Sequence, residues 1–209
     1  MTVSSSDEVV ILDFETTGLS ANDDHIIEVG AAIVKGLKII KTFSSLCDPG
    51  YRIPYFITDI TGITNQMIKG KPRPEDVMYD LNEFIGKRPI LAHNASFDSK
   101  FLYAEMNRIN IDINNPVLCT LLLSRRLIQN ASNHKLGTLK QYINFKEKEG
   151  HQDHRALDDV KVTVALWLHL RKCVENLSGS KKIDINFYKK ISKMPKKQVA
   201  DKLAELLIN

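Results

Sequence analysis

Cysteine is scarce and scattered: Cys47, Cys119 and Cys173 are the three in 209 residues, odd in number and never in a CxxC pair. That spacing excludes a disulfide framework and a zinc knuckle, leaving three reduced thiols, mostly buried. No apolar run approaches the roughly 18 residues that a membrane helix needs. The opening MTVSSSDEVV also lacks the basic-then-apolar order of a secretory signal. A cytoplasmic protein with no membrane partner is therefore expected. No internal repeat is visible.

The composition present, 43% hydrophobic and 26% charged, suits one sizeable core with an appendage. The SGS at 178–180 marks the boundary, giving a body of residues 1–177 and a tail of residues 178–209. The formal charge of +4 is uneven: the tail carries eight lysines against three acids, +5, which leaves −1 on the body. A basic tail suits an anionic polymer, and equally suits plain solvation. Val199, Leu203, Leu206 and Leu207 recur at helical spacing, so KKQVADKLAELLI predicts an amphipathic helix. Such a helix either packs on the body or docks a polymerase or another protein partner.

Residues 9–14 read as a central strand with apolar residues on both faces. HIIEVGAAIV (25–34) and LKIIKTFSSL (37–46) follow as strands, with Lys35 and Gly36 as the turn, so the first three strands form an antiparallel meander. Helical pieces are expected over 58–67, then a helix over 74–86 bounded by Pro74 and Gly86. Beyond it, RPILAHN and PVLCT read as short strands, and SFDSKFLYAEMNR, LLLSRRLI, KLGTLKQYI and a long stretch over 158–177 as helices. Strands alternating with helices imply parallel pairing there. The sum is an α/β fold: a mixed central sheet of about five strands flanked by helices.

The stretch VVILDFETTG poses the chemical question, because Asp13 and Glu15 follow a run of large apolar residues. Strand periodicity of two puts both carboxylates on one face. There they repel, and one of them protonates unless a cation lies between them. Hard divalent cations such as Mg²⁺ or Mn²⁺ prefer such oxygen donors.

Two further elements carry acids. LAHNASFDSKFL (91–102) ends a buried strand in His93 and Asn94 and sets Asp98 early in a helix, where it complements the helix dipole or serves a site at the strand ends. GHQDHRALDDVKV sets His154 before a helix that begins with Asp158 and Asp159. A helical His154 faces Asp158, and a His154 in the preceding loop leaves Asp159 available. Periodicity leaves both open, with His151 close by.

Together DFETTG, HNASFD and HRALDD resemble the three motifs of the DnaQ-like 3′–5′ exonucleases, DEDDh branch, a family that includes the proofreading subunit of bacterial replicative polymerase. The resemblance spans residues 8–175 or so. It implies a ribonuclease H-like fold, with Asp13, Glu15, Asp98 and Asp159 as ligands of two divalent cations and His154 as general base. It also selects Asp159 over Asp158. ITGITNQMI, CTLLLSRRL and NHKLGTLKQYI are similar to further family segments, with Thr61 where a His is frequent and Cys119 where an Asp is usual.

The implied reaction is phosphodiester hydrolysis at a single-stranded 3′ end, releasing nucleoside monophosphates. In the implied arrangement Asp13 bridges both ions, Glu15 and Asp159 support the one carrying the attacking water, and Asp98 acts through bound waters. The backbone of Thr16, Thr17 and Gly18 and the side chain of Leu19 would contact the terminal nucleotide, its 3′ hydroxyl near Glu15, with Asn94 and Phe97 lining the site. ETTG differs from the EMTG of the oligoribonuclease branch, which favours DNA over RNA. Competing expectations are RNA trimming, a non-catalytic nucleic-acid or polymerase-binding module on the same fold, and an adaptor working through the tail. No polymerase motif accompanies the set, so proofreading would act in trans.

Overall fold

The structure is a computed structural model that describes residues 8–146, 154–179 and 184–205. A five-stranded sheet in the order β3-β2-β1-β4-β5 organises it: β1 (Glu8–Thr16), β2 (Ile26–Lys35), β3 (Lys38–Leu46), β4 (Ile90–Ala92) and β5 (Val117–Cys119). β1, β2 and β3 are antiparallel, and β4 and β5 run parallel to β1. The β2–β3 turn is one residue later than expected, at Gly36 and Leu37, because Lys35 still pairs with Lys38. Gly36 takes a φ of +58°, which a residue without Cβ adopts freely.

The period of two in β1 sorts its side chains into two cores. Val10, Leu12 and Phe14 pack with α3 (Pro74–Ile85) and α4 (Ser96–Arg108). Val9 and Ile11 face the opposite layer, made by α5 (Thr120–Leu127), α6 (Leu136–Tyr142) and α7 (Ala156–Ser178). From α7, Val160, Val164, Leu166, Trp167, Leu170 and Val174 are buried there, each stabilising the fold by about 1.5–3 kcal/mol relative to exposure. Shorter helices α1 (Tyr55–Thr61) and α2 (Asn65–Ile68) and the turn between them cover the start of β2 at Ile27 through Ile57, Ile63 and Ile68. Cys47 is buried and burial pushes its thiol up to about 12, which makes it inert.

After α7 come α8 (Ile185–Lys193), a 3₁₀ turn at Lys196–Gln198 and α9 (Val199–Glu205). The sequence reading left α8 out, because its lysines mask an apolar stripe of Ile185, Tyr188 and Ile191. Tyr188, Ile191, Val199 and Leu203 are buried in the cluster that holds Ile11 and Leu91. The Trp167 and Tyr188 rings meet edge-on at 4.8 Å, and Arg126 Nε donates to the Met194 carbonyl at 3.1 Å. Leu206 and Leu207 lie outside the described residues.

Candidate active site

Asp13 and Glu15 share the Val9 and Ile11 face of β1, so both project toward the start of α7. Asp159, in the first turn of α7, and Glu28, opposite Glu15 in β2, add negative charge beside them. Asp98 reaches the same place from the first turn of α4, 3% exposed, its Oδ1 accepting the Phe14 N–H at 3.3 Å. Four carboxylates from β1, α4 and α7 thus converge at the carboxyl end of β1.

The carboxylates raise one another's affinity for protons. Burial, then the charges of Asp98, Asp159, Glu15 and Glu28, hold the Asp13 carboxyl well above the ordinary range. Burial and the charges of Asp159, Glu28 and Asp98 push Glu15 up to about 8, with Arg155 acting the other way. Burial raises Asp98 to about 7, against the lowering effect of backbone hydrogen bonds, the Phe14 N–H among them. Such a cluster binds protons or metal ions in place of standing fully ionised.

His154 lies in the turn ahead of α7 with a φ of +58°, and α7 starts at Ala156, two residues earlier than expected. The imidazole is therefore outside the helix, the geometry in which Asp159 and not Asp158 is its neighbour. Glu15, His154 and Asp159 each present a donor atom within 4.8 Å of the others. Asp158 turns to Lys161 Nζ, 2.6 Å from its Oδ1. His151 lies outside the described residues.

The loop after β1 is tightly held. Thr16 Oγ1 donates to the Gly18 carbonyl at 2.6 Å, and Thr17 Oγ1 bonds Asp24 Oδ1 at 3.0 Å, Tyr51 Oη at 2.9 Å and the His25 N–H at 3.1 Å. Both threonine side chains are committed inward, so only backbone remains for a ligand. A Cβ on Gly18 would stand 2.4 Å from Asp24 Oδ2 and would displace the carboxylate that Thr17 and Ser20 hold. Leu19 projects outward, 86% exposed. Behind the loop, fully buried Glu105 lies 3.1 Å from His25 Nδ1 and forms an ion pair with Arg108 at 2.8 Å, and Arg108 Nη2 donates to the Ala21 and Asn22 carbonyls at 3.0 Å. Asn94 is exposed at the mouth of β4, in a left-handed turn with φ +66°, and Phe97 is half-buried against Phe101.

Sequence reading missed Glu28 and Arg155. Glu28 is 3% exposed in a strand whose other residues before Lys35 are apolar or glycine, and that isolated acid in HIIEVGAAIV was the available signal. Its carboxylate takes Arg155 Nη2 at 2.7 Å and the Ala156 N–H at 3.0 Å, anchoring the start of α7. Gly30 completes the joint, because a Cβ there would stand 2.3 Å from the Ala156 carbonyl carbon.

A three-plus-two mixed sheet flanked by helices, with a carboxylate cluster at the end of its central strand, is the architecture of the ribonuclease H-like exonucleases. Residues 10–167 match the RNase T family model, described as exonuclease, and the chain belongs to that family. It is 38% identical over 179 residues to the DNA polymerase III PolC-type of Caldanaerobacter subterraneus subsp. tengcongensis, covering 86% of this chain and 13% of the polymerase. With the Bacillus subtilis PolC-type it shares 40% over 166 residues, 78% of this chain and 11% of that one. The chain thus spans a small part of these relatives' length. Exonuclease X, solved with 5′-overhanging duplex DNA, superposes with a TM-score of 0.70 at 28% identity, covering 88% of this chain and 99% of that one. Escherichia coli exonuclease I with a dT13 oligonucleotide gives a TM-score of 0.70 at 20% identity over 81% of this chain and 42% of that one, a likeness of fold.

Proposed function

We propose that this chain is a metal-dependent 3′–5′ exonuclease that releases nucleoside monophosphates from single-stranded ends, DNA in preference to RNA, in the cytoplasm. The observation that carries this reading is the convergence of Asp13, Glu15, Asp98 and Asp159 with His154 beside them. All-oxygen donors that resist joint ionisation suit two hard divalent cations, Mg²⁺ or Mn²⁺. Cations held there supply charge neutralisation for the scissile phosphate and acidify a water.

The chain's own residues do the rest. His154, at the solvent side, accepts the proton of the attacking water at a ring nitrogen, a role typically worth about 10² to 10⁴ in rate. The backbone of Thr16, Thr17 and Gly18, stiffened by the Thr17–Asp24–Tyr51 bonds, orients the terminal nucleotide, and Leu19 packs against its base. Asn94 supplies a polar contact from the neighbouring strand end. The polymerase relatives support a proofreading or repair setting, and a polymerase is the protein partner we propose for the tail.

The test is degradation of 5′-labelled single-stranded DNA and RNA of equal sequence with Mg²⁺, Mn²⁺ or EDTA, comparing wild type with Asp13→Ala. A metal-dependent ladder shortening from the 3′ end, faster on DNA and absent in the variant, is expected. No cleavage of either polymer under any metal would overturn the reading.

A further inference from the structure

The basic residues after α7 have no part in the chemistry above, yet the fold brings some of them to the same end of the sheet. A cavity of about 230 Å³ opens between the start of α4, the carboxyl end of β5 and α8, and Ser96, Ser99, Cys119, Lys189, Ser192 and Lys193 line it. β1, β4 and β5 are parallel and in register, with Ile11 level with Leu91 and Leu91 with Leu118. The carboxyl end of β5 therefore stands beside that of β1, two strands across and roughly 10 Å from the carboxylates at about 4.8 Å per strand. The loop that carries Asn94 lies between them.

Ala95, Val117, Leu118 and Leu122 make the rest of the lining apolar, and its polar side, at α8, suits a phosphate. Among the described residues, no hydrogen bond or ion pair engages the Lys189 or Lys193 ammonium or the Ser99 hydroxyl, while the Ser96 hydroxyl donates to Asn94 Oδ1 at 3.4 Å. The Ser192 hydroxyl donates to the Lys189 carbonyl at 2.8 Å, so it has no proton left for an anion, and its bond instead fixes the turn of α8 that presents both lysines. The segment that forms α8 and the turn after it is basic: over residues 184–200, Lys189, Lys190, Lys193, Lys196 and Lys197 stand against Asp184. Tyr188 and Ile191 seat this helix in the core, so the backbone that carries its lysines is held in place. A polyanion engaged at the carboxylates and running past Asn94 meets this cavity next.

We propose that Lys189 and Lys193, with Ser99, bind a backbone phosphate of the substrate strand away from the scissile bond. The proposal rests on the function proposed above and gives α8 the role of holding the strand. Binding of a labelled oligothymidylate, read by anisotropy in Mg²⁺ with Asp13→Asn so that no turnover is needed, tests it across a salt series. Lys189→Ala/Lys193→Ala is compared with the parent and with Lys189→Arg/Lys193→Arg, and thermal melting checks the fold.

Each phosphate contact on a single strand contributes about 0.7 to the logarithmic salt slope. Removing the one phosphate contact with the alanine pair should therefore flatten the slope by about 0.7, shrinking the affinity lost between about 50 and 200 mM salt roughly two- to threefold. The arginine pair should restore the parent slope. A parent slope and affinity in the alanine pair overturns the proposal and leaves an acidic protein surface as the occupant to pursue. Hydrolysis of the p-nitrophenyl ester of thymidine 5′-phosphate by the wild type, which needs no neighbouring phosphate, tests the catalytic reading separately.

Discussion

Glu28 and Arg155, 127 positions apart, meet in a fork: Arg155 Nε lies 3.1 Å from both carboxylate oxygens and Nη2 lies 2.7 Å from Oε1. Planar, charge-assisted pairing of this kind fixes orientation as well as distance. Since the same carboxylate accepts the Ala156 N–H, the fork sets where α7 begins, and with it the positions of His154 and Asp159. Glu28→Ala should lower stability by about 1–3 kcal/mol, the cost of stranding its partners. Turnover should fall at least tenfold while Asp13 and Glu15 stay in place. Urea unfolding and single-turnover rates measure the two effects, and an unaltered rate would remove this anchor from the mechanism.

Gly30 gives the complementary test. Its missing Cβ is the space that the Ala156 backbone fills, so Gly30→Ala must displace α7 or bend β2. A cost of about 1–3 kcal/mol, as for overpacking in cores, is expected, together with loss of turnover. Thermal melting and nuclease assay at a temperature where the variant stays folded separate these outcomes.

Replacing His154 separates chemistry from binding. His154→Ala should retain metal and oligonucleotide affinity and lose about 10² to 10⁴ in rate. His154→Gly should be equally inactive yet at least as stable, since glycine accepts a φ of +58° without strain. Calorimetric metal titration beside rate measurement is the check. Full activity in either variant contradicts the assignment.

The carboxylates also set how stability responds to pH. Glu15 is raised to about 8 and Asp98 to about 7, above the ordinary values of 4.5 and 3.8. In metal-free protein their stabilising contribution is complete below those ordinary values and is lost as pH rises through 7 to 8. His93, lowered to about 4 chiefly by burial, acts oppositely: its contribution is present above 6.5 and is lost as pH falls through 4. Melting temperature in EDTA should therefore decline from pH 6 toward 9, and saturating Mg²⁺ should remove most of that decline. Parallel curves with and without metal would count against metal binding at this cluster.

Local chemistry was legible in the sequence, and long-range contacts were not. Pro74 with Gly86 bounded α3, and SFDSKFLYAEMNR matched α4 at both ends, because caps and periodicity are properties of a few adjacent residues. The start of α7 depends on Glu28, which no local window contains. The choice between Asp158 and Asp159 turned on the left-handed backbone of His154, an unusual state for a residue with a Cβ. The resemblance to a known family supplied what spacing left open there. α8 escaped notice because five lysines over 189–197 suggested solvent, and only the packed chain shows Tyr188 and Ile191 turned inward.

The carboxylates come from β1, α4 and α7, segments far apart along the chain, and Asp98 joins Phe14 across 84 positions. No fragment shorter than residues 13–159 contains the cluster, and a chain whose last long helix has not docked lacks Asp159 and His154 at the site. On the proposed reading, a newly made or partly unfolded molecule is harmless to nucleic acid. The capacity to cut appears only with the finished fold.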